Sequence, residues 1–234
     1  MVFSTPSPLS QAQRPAILPS PDSAPDIMLA RGRTHEACGP ARHSFAIWLA
    51  QAVQRGGPHQ AGIGHKPPPL GQGPVLWIGL RAPSLVLNAS GMAPWVQPGA
   101  FVFVQAEKTD LALWAMEEGL RSGAVPLVVA DLPSPPGLTP VRRLHLAAEA
   151  AGTGPLGLLL CPDSGGAPGI ETRWHMAPAH ECSTTPRWRL ERLRARALPP
   201  KAWLMQGLGA GPGPGAPAQV QPVAGHTAIG ARPT

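Results

Sequence analysis

Along the middle of this chain, short unbroken apolar runs alternate with longer stretches in which apolar positions recur every three to four residues. The runs have strand length: "PVLWIGL" (Pro74 to Leu80), "AFVFVQA" (Ala100 to Ala106), "VPLVVAD" (Val125 to Asp131) and "LGLLLC" (Leu156 to Cys161). Gly and Pro bound the first, and β-branched and aromatic residues strengthen the second. Three periodic stretches read as helices. "SFAIWLAQAV" (Ser44 to Val53) offers Ser44 as an N-cap. "KTDLALWAMEEGLRSG" (Lys108 to Gly123) groups Leu111, Trp114, Ala115 and Leu120 on one face and closes on a glycine. "TPVRRLHLAAEAAG" (Thr139 to Gly152) has Thr139 to cap it and Pro140 at its first position. Buried strands alternating with helices predict an α/β fold on a mostly parallel sheet. Ligands of such sheets bind at the carboxyl ends of the strands, which singles out Asp131 and Cys161.

Beyond Cys161 the texture changes. "IETRWHMAP" (Ile170 to Pro178), "TPRWRLERLRAR" (Thr185 to Arg196) and "KAWLMQ" (Lys201 to Gln206) are short, and each carries a tryptophan. The middle one reads two ways. As a strand it sets Trp188 and Leu190 against Arg187 and Arg189; as a helix it groups Arg189, Arg192 and Arg196. Strands are preferred for at least its first half, in a small antiparallel extension of the sheet.

Composition changes the picture at the ends. The 234 residues include 32 prolines and 27 glycines, concentrated in Pro6 to Pro25, in Arg55 to Pro74 and from Gly207 onward. None of these stretches has an apolar face to offset the entropy of ordering it. The expected organisation is a Pro-rich disordered segment (1–28), one α/β domain (29–206) holding a long surface loop, and a disordered Gly/Pro-rich tail (207–234). Three cysteines make no disulfide framework and favour a reducing compartment. Neither a signal peptide nor a spanning apolar stretch is evident, so the expectation is a cytoplasmic protein without a membrane partner. A net charge of +6 makes nucleic acid or an acidic protein a plausible partner.

Candidate chemistry begins at "HEACGPARHSF", where a Gly-Pro turn runs straight into a helix. A working phosphate loop needs several glycines, a Lys for the β- and γ-phosphates and a Ser or Thr for magnesium. Gly39, Pro40, Arg42 and Ser44 supply only fragments of that set. Asp131 stands where a nucleotide hydrolase would hold magnesium, or simply begins the turn before "PSPPG". Two groups, His35–Cys38–His43 and His175–His180–Cys182, lack the tight ligand pairs of a zinc site, so neither metal nor cofactor is expected. Arginines beside tryptophans suit contact with a protein or a nucleic acid. They are Arg142 and Arg143, Arg173 with Trp174, Arg187, Arg189, Arg192, Arg194 and Arg196 around Trp188, and the downstream Trp203.

The segment "EEGLRSGAVPLVVADL" (Glu117 to Leu132) resembles the helix-to-strand passage of bacterial RecA recombinases, with Asp131 on their magnesium-site acid. The ordered set "HEACG", "LHLAAEAAGTGPLGLLLCP", "ETRWHMAP" and "PRWRLERLRARALPPKAWLMQ" is similar to the ImuA family of SOS mutagenesis proteins, from about Leu29 to Gln206. That resemblance implies a RecA-like core and a part in damage-induced translesion synthesis. Its implied partners are a Y-family-like ImuB protein, an error-prone replicative-type polymerase and RecA. Against RecA, the lysine, the water-activating glutamate and the γ-phosphate-sensing glutamine are missing. The expectation is a non-catalytic adaptor. Direct single-stranded DNA binding, a residual nucleotide-dependent activity and SulA-like inhibition of cell division are the alternatives. Truncation after Ala177 is expected to leave the core folded.

Overall fold

The computed structural model describes residues 15–17, 27–55, 73–81, 87–180, 186–196, 198–206 and 219–223. In chain order the elements are β1 (Pro15–Ile17), β2 (Met28–Ala30), β3 (Thr34–Cys38), α1 (Arg42–Arg55), β4 (Val75–Leu80) and α2 (Ala89–Met92). A 3₁₀ turn (Pro98–Ala100) then leads to β5 (Phe101–Ala106), α3 (Thr109–Ser122), β6 (Leu127–Asp131), α4 (Leu138–Ala150) and β7 (Leu156–Leu160). The chain continues through β8 (Thr172–Pro178), β9 (Arg187–Ala195), β10 (Lys201–Gln206) and β11 (Gln219–Pro222). Strands β1 and β2 form a small antiparallel pair. The others make one nine-stranded sheet, ordered β11-β10-β9-β8-β3-β7-β6-β4-β5. From β5 to β8 neighbouring strands are parallel, and from β8 to β11 they are antiparallel. This is the expected α/β architecture, a mostly parallel sheet with an antiparallel C-terminal extension.

Its layers follow from the apolar pattern. Strands β3, β6 and β7 are buried at every position, as strands covered on both faces must be. Helix α1 covers one face, and six consecutive residues, Phe45 to Ala50, are buried, so it is apolar nearly all round. The same cluster takes in Trp174, Trp188, Leu190, Trp203, Met205 and Val220, which ties the extension to the α1 face. Helices α3 and α4 cover the other face through Met116, Leu120, Val141 and Leu144.

Several expectations need correction. Helix α1 starts at Arg42, before Ser44, because the chain turns at once: Arg42 N–H reaches Gly39 O and Phe45 N–H reaches Ala41 O. Helix α4 starts at Leu138 after Gly137, so Thr139 and Pro140 lie inside its first turn and Thr139 is not the cap. Helix α3 ends as read, on Gly123 at φ 61°. Its buried face is different, running through Ala112, Leu113, Met116 and Leu120, while Leu111 and Trp114 remain 41% and 58% exposed. Strand β9 is extended from Arg187 to Ala195, which resolves the ambiguity between strand and helix over those residues.

The segments read as disordered contribute strands where described. Residues 15–17 pair with β2, and β11 pairs with β10 while burying Val220. The remainder of both ends and most of the Arg55 to Pro74 loop lie outside the described residues. Truncation after Ala177 would remove Trp188, Leu190 and Trp203 from the main core, so the expectation that such a product folds is withdrawn. Among the described residues no helix is long and apolar enough to cross a membrane.

Candidate functional site

Strand β3 delivers the chain to the carboxyl edge of the sheet, where a phosphate loop would lie. The loop here is closed by its own backbone. Gly39 N–H donates to Asp163 O at 2.9 Å, Ala41 N–H to Met176 O at 2.9 Å and Arg42 N–H to Gly39 O at 3.3 Å. Pro40 has no N–H to offer. Gly39 has φ 86°, and a Cβ on it would come within 2.6 Å of both His175 Nε2 and Met176 O. Its glycine therefore serves close packing against β8. Four successive positions thus offer no free N–H group to a phosphate.

Asp131 ends β6 with its side chain 7% exposed, and protein side chains already surround it. His43 Nε2 donates to Oδ2 at 2.6 Å, and Arg42 Nε lies 3.8 Å from Oδ1. Both come from the first turn of α1, and the His43 ring stacks at 6.3 Å on Trp77 of β4. Ser44 sits half-buried in the same turn. The structure thus brings Gly39, Pro40, Arg42, Ser44 and Asp131 into one place, with the acid paired to side chains.

Sequence reasoning missed the other acid of this region. Glu36, in the middle of β3, is fully buried. Its Oε1 accepts from Gly166 N–H at 2.8 Å and Ala167 N–H at 3.1 Å, while Oε2 accepts from Arg173 Nε. Arg173 also donates to Ala167 O at 3.0 Å. Glu36 therefore fixes the 163–167 loop that receives Gly39. A signal existed: a loop of phosphate-binding type must follow a strand, which makes His35 to Cys38 that strand and Glu36 a buried acid in need of partners.

The arginine and tryptophan positions separate into two sets. Trp174 and Trp203 are interior, with rings 5.8 Å apart, and Trp174 also stacks on Phe45. Trp188 is buried against Trp95 at 5.7 Å. Arg192 is 2% exposed, lies 5.8 and 5.3 Å from the ring centroids of Trp174 and Trp203, and donates through Nε and one terminal nitrogen to Pro199 O. These four residues, with Arg173, are corrected from surface contacts to packing. Strand alternation buries Arg192 beside Trp188 and Leu190. Arg142, Arg194 and Arg196 face solvent, and Arg196 lies 3.5 Å from Glu171. Arg189 pairs with Glu191 at 3.1 Å. With the Gln206 amide oxygen turned toward it, Arg187 donates to that oxygen at 2.9 Å. Arg143 pairs with Glu117 at 2.6 Å beside a pocket of about 190 Å³ between α3 and α4, lined by Leu113, Trp114, Pro140 and Leu144.

The histidines and cysteines are engaged elsewhere. Trp174 Nε1–H donates to Thr172 Oγ1, which lies 2.7 Å from His35 Nδ1, and His35 Nε2 lies 2.9 Å from Ala30 O. A carbonyl can only accept, so His35 donates through Nε2 and receives the Thr172 hydroxyl at Nδ1. That pattern needs a neutral ring, and burial accordingly lowers its pKa to about 4. Cys38 donates to Trp174 O at 3.3 Å; burial foremost, then Glu36, pushes its thiol up to about 12. Cys161 is raised from the same causes. Neither is a poised nucleophile. Cys182 lies outside the described residues. Among the described residues no three His, Cys, Asp or Glu side chains gather to hold a metal.

No family model matches this sequence. It is 33% identical to Protein ImuA of Caulobacter vibrioides, from strain NA1000 / CB15N and equally from strain ATCC 19089 / CIP 103742 / CB 15, over an aligned length of 159 residues. The match covers 61% of this chain and 64% of the relative, so the chain spans somewhat under two thirds of the curated proteins it matches. The resemblance read from "HEACG" through "KAWLMQ" is thus borne out as a similarity to these curated ImuA proteins.

Proposed function

We propose that this chain is a non-catalytic accessory protein of damage-induced, error-prone DNA synthesis, an adaptor that brings together an ImuB-type protein and an error-prone polymerase, with RecA as a further contact. The observation that carries the non-catalytic part is the closed loop, whose Gly39, Ala41 and Arg42 amides are bonded internally while His43 and Arg42 occupy Asp131. A triphosphate hydrolase needs those groups open to phosphate and magnesium. The mutagenesis context rests on the kinship with ImuA. Contact is assigned to the solvent-facing arginines Arg142, Arg194 and Arg196, since buried Trp174, Trp203 and Arg192 are unavailable.

Co-purification of the full chain with ImuB tests this, using Arg194→Glu/Arg196→Glu in place of any truncation. The double variant is expected to lower ImuB retention about tenfold or more at unchanged thermal midpoint, as loss of a charged contact patch does. Unchanged retention would sink the assignment. The same preparations are titrated onto single-stranded DNA at two salt concentrations; tight binding that weakens steeply with salt, and disappears in the variant, would move the function onto nucleic acid.

A further inference from the structure

Among the described residues, strand β5 is the outer strand at one end of the nine-stranded sheet. It runs in unbroken parallel register with β4, from Phe101 opposite Val75 to Ala106 opposite Leu80. Edge strands are ordinarily guarded by charge, proline or a bulge against pairing with another chain. The sequence "FVFVQA" contains no charge and no proline, and its register has no bulge. The opposite edge differs: β11 is "QVQP", and it closes on Pro222.

Side-chain exposure adds to this. Val102 is 48% and Phe103 51% exposed, and as neighbours in a strand they point to opposite faces of the sheet. Val104 and Ala106 share the α3 face with Val102. Phe101 stacks on Phe103 at 5.9 Å and 18° on the α1 face. The edge is thus apolar on both faces at once. A docked helix or globular surface covers one face, whereas a strand laid alongside covers both and takes up the outward N–H and C=O groups.

The pattern also says which strand fits. Across an antiparallel pair, opposed residues share a face. A twofold axis normal to the sheet at Phe103 sets Phe103 against its own copy, Val102 against Val104, and Phe101 against Gln105. Both half-exposed side chains then meet apolar partners. From Pro98 to Ala106 nothing is charged, so self-pairing here sets no like charges against each other on a chain of net charge +6. We infer that two copies of this chain associate through antiparallel β5–β5 pairing centred on Phe103, doubling the sheet into one continuous layer. An interface of one strand edge falls near the small end of the specific range, about 1,200 Å² in total, so the dimer is reversible. The inference does not depend on the adaptor reading.

Sedimentation velocity of the full chain, from low micromolar to several hundred micromolar, is expected to show a monomer–dimer equilibrium. Phe103→Lys should raise the dissociation constant about tenfold or more without moving the thermal midpoint, because the position is half-exposed. A second variant reads the register directly. Phe103→Cys on a Cys182→Ser background should form an intermolecular disulfide on mild oxidation, since opposed residues of antiparallel strands stand about 4.5–5.5 Å apart at Cα. A chain that stays monomeric throughout would overturn the inference. So would a dimer indifferent to Phe103→Lys, or one lost on Trp114→Ala, which would place the contact in the α3/α4 groove.

Discussion

Two buried carboxylates in the parallel sheet, Glu36 on β3 and Asp131 on β6, are both matched by cations, yet they do different things. Glu36 takes two backbone N–H groups of the loop after β7 and one arginine from β8, and is 0% exposed. Asp131 takes only side chains, His43 and Arg42, and keeps slight contact with solvent. An acid that accepts from loop amides fixes backbone: without Glu36 the 163–167 loop loses its anchor, and Asp163 O is the acceptor that holds Gly39. An acid that accepts from the first turn of a helix occupies the space where a ligand would sit. Glu36 makes the site rigid, and Asp131 makes it closed.

The largest effect that separates them is expected from Arg173→Met. It leaves Glu36 charged, buried and short of a partner, which costs about 3–5 kcal/mol and is read as a lower urea midpoint. Glu36→Gln added to Arg173→Met removes the stranded charge and keeps an acceptor for Gly166 and Ala167, so part of the loss should return. A single-variant cost under about 1 kcal/mol would make the pair a surface-like ion pair and erase the contrast.

An intermediate effect comes from pH. Burial holds the His35 imidazole at a pKa of about 4, against about 6.5 in an unfolded chain. Between those values the unfolded chain binds a proton that the folded chain refuses, so stability falls as pH falls. The His35 contribution is whole above pH 6.5 and is lost progressively down to pH 4, amounting to about 3 kcal/mol. His35→Gln should flatten that part of the stability–pH curve. An equally steep curve in the variant would assign the acid sensitivity to other groups, with His145, also lowered by burial, the first to test.

How much of this was legible in the sequence follows from where each partner lies. Read as a strand, the alternation of Trp188 and Leu190 with Arg187 and Arg189 gives the face of β9, because strand geometry is local, but the same residues also allow a helix. The same alternation put Arg192 inside, yet an arginine there reads as surface until Trp174, Trp203 and the Pro199 carbonyl are seen around it. Helix α3 was legible in extent from Gly123, but its buried face was not, since Leu111 and Trp114 are as apolar as the residues that are covered. Strand β3 was missed for the opposite reason. "THEAC" is polar in composition, and His35 and Glu36 find their side-chain partners, Thr172 and Arg173, 137 residues away.

The smallest effect tests closure itself. Asp131→Asn keeps an oxygen that can accept from His43 Nε2 but removes the charge between His43 and Arg42, so the loss should be about 1–2 kcal/mol, that of a charge-assisted bond reduced to a neutral one. Thermal unfolding with and without magnesium–ATP then distinguishes a closed site from an open one. Any ligand that binds only the folded state raises its stability by mass action. An acid that held magnesium would make the wild-type midpoint rise with nucleotide and the Asn variant's stay put. With the Gly39, Ala41 and Arg42 amides bonded internally, neither midpoint should respond, and the two curves should stay offset by the same amount at every nucleotide concentration. A nucleotide-dependent rise confined to the wild type would mean that the loop opens and that Asp131 is a ligand after all.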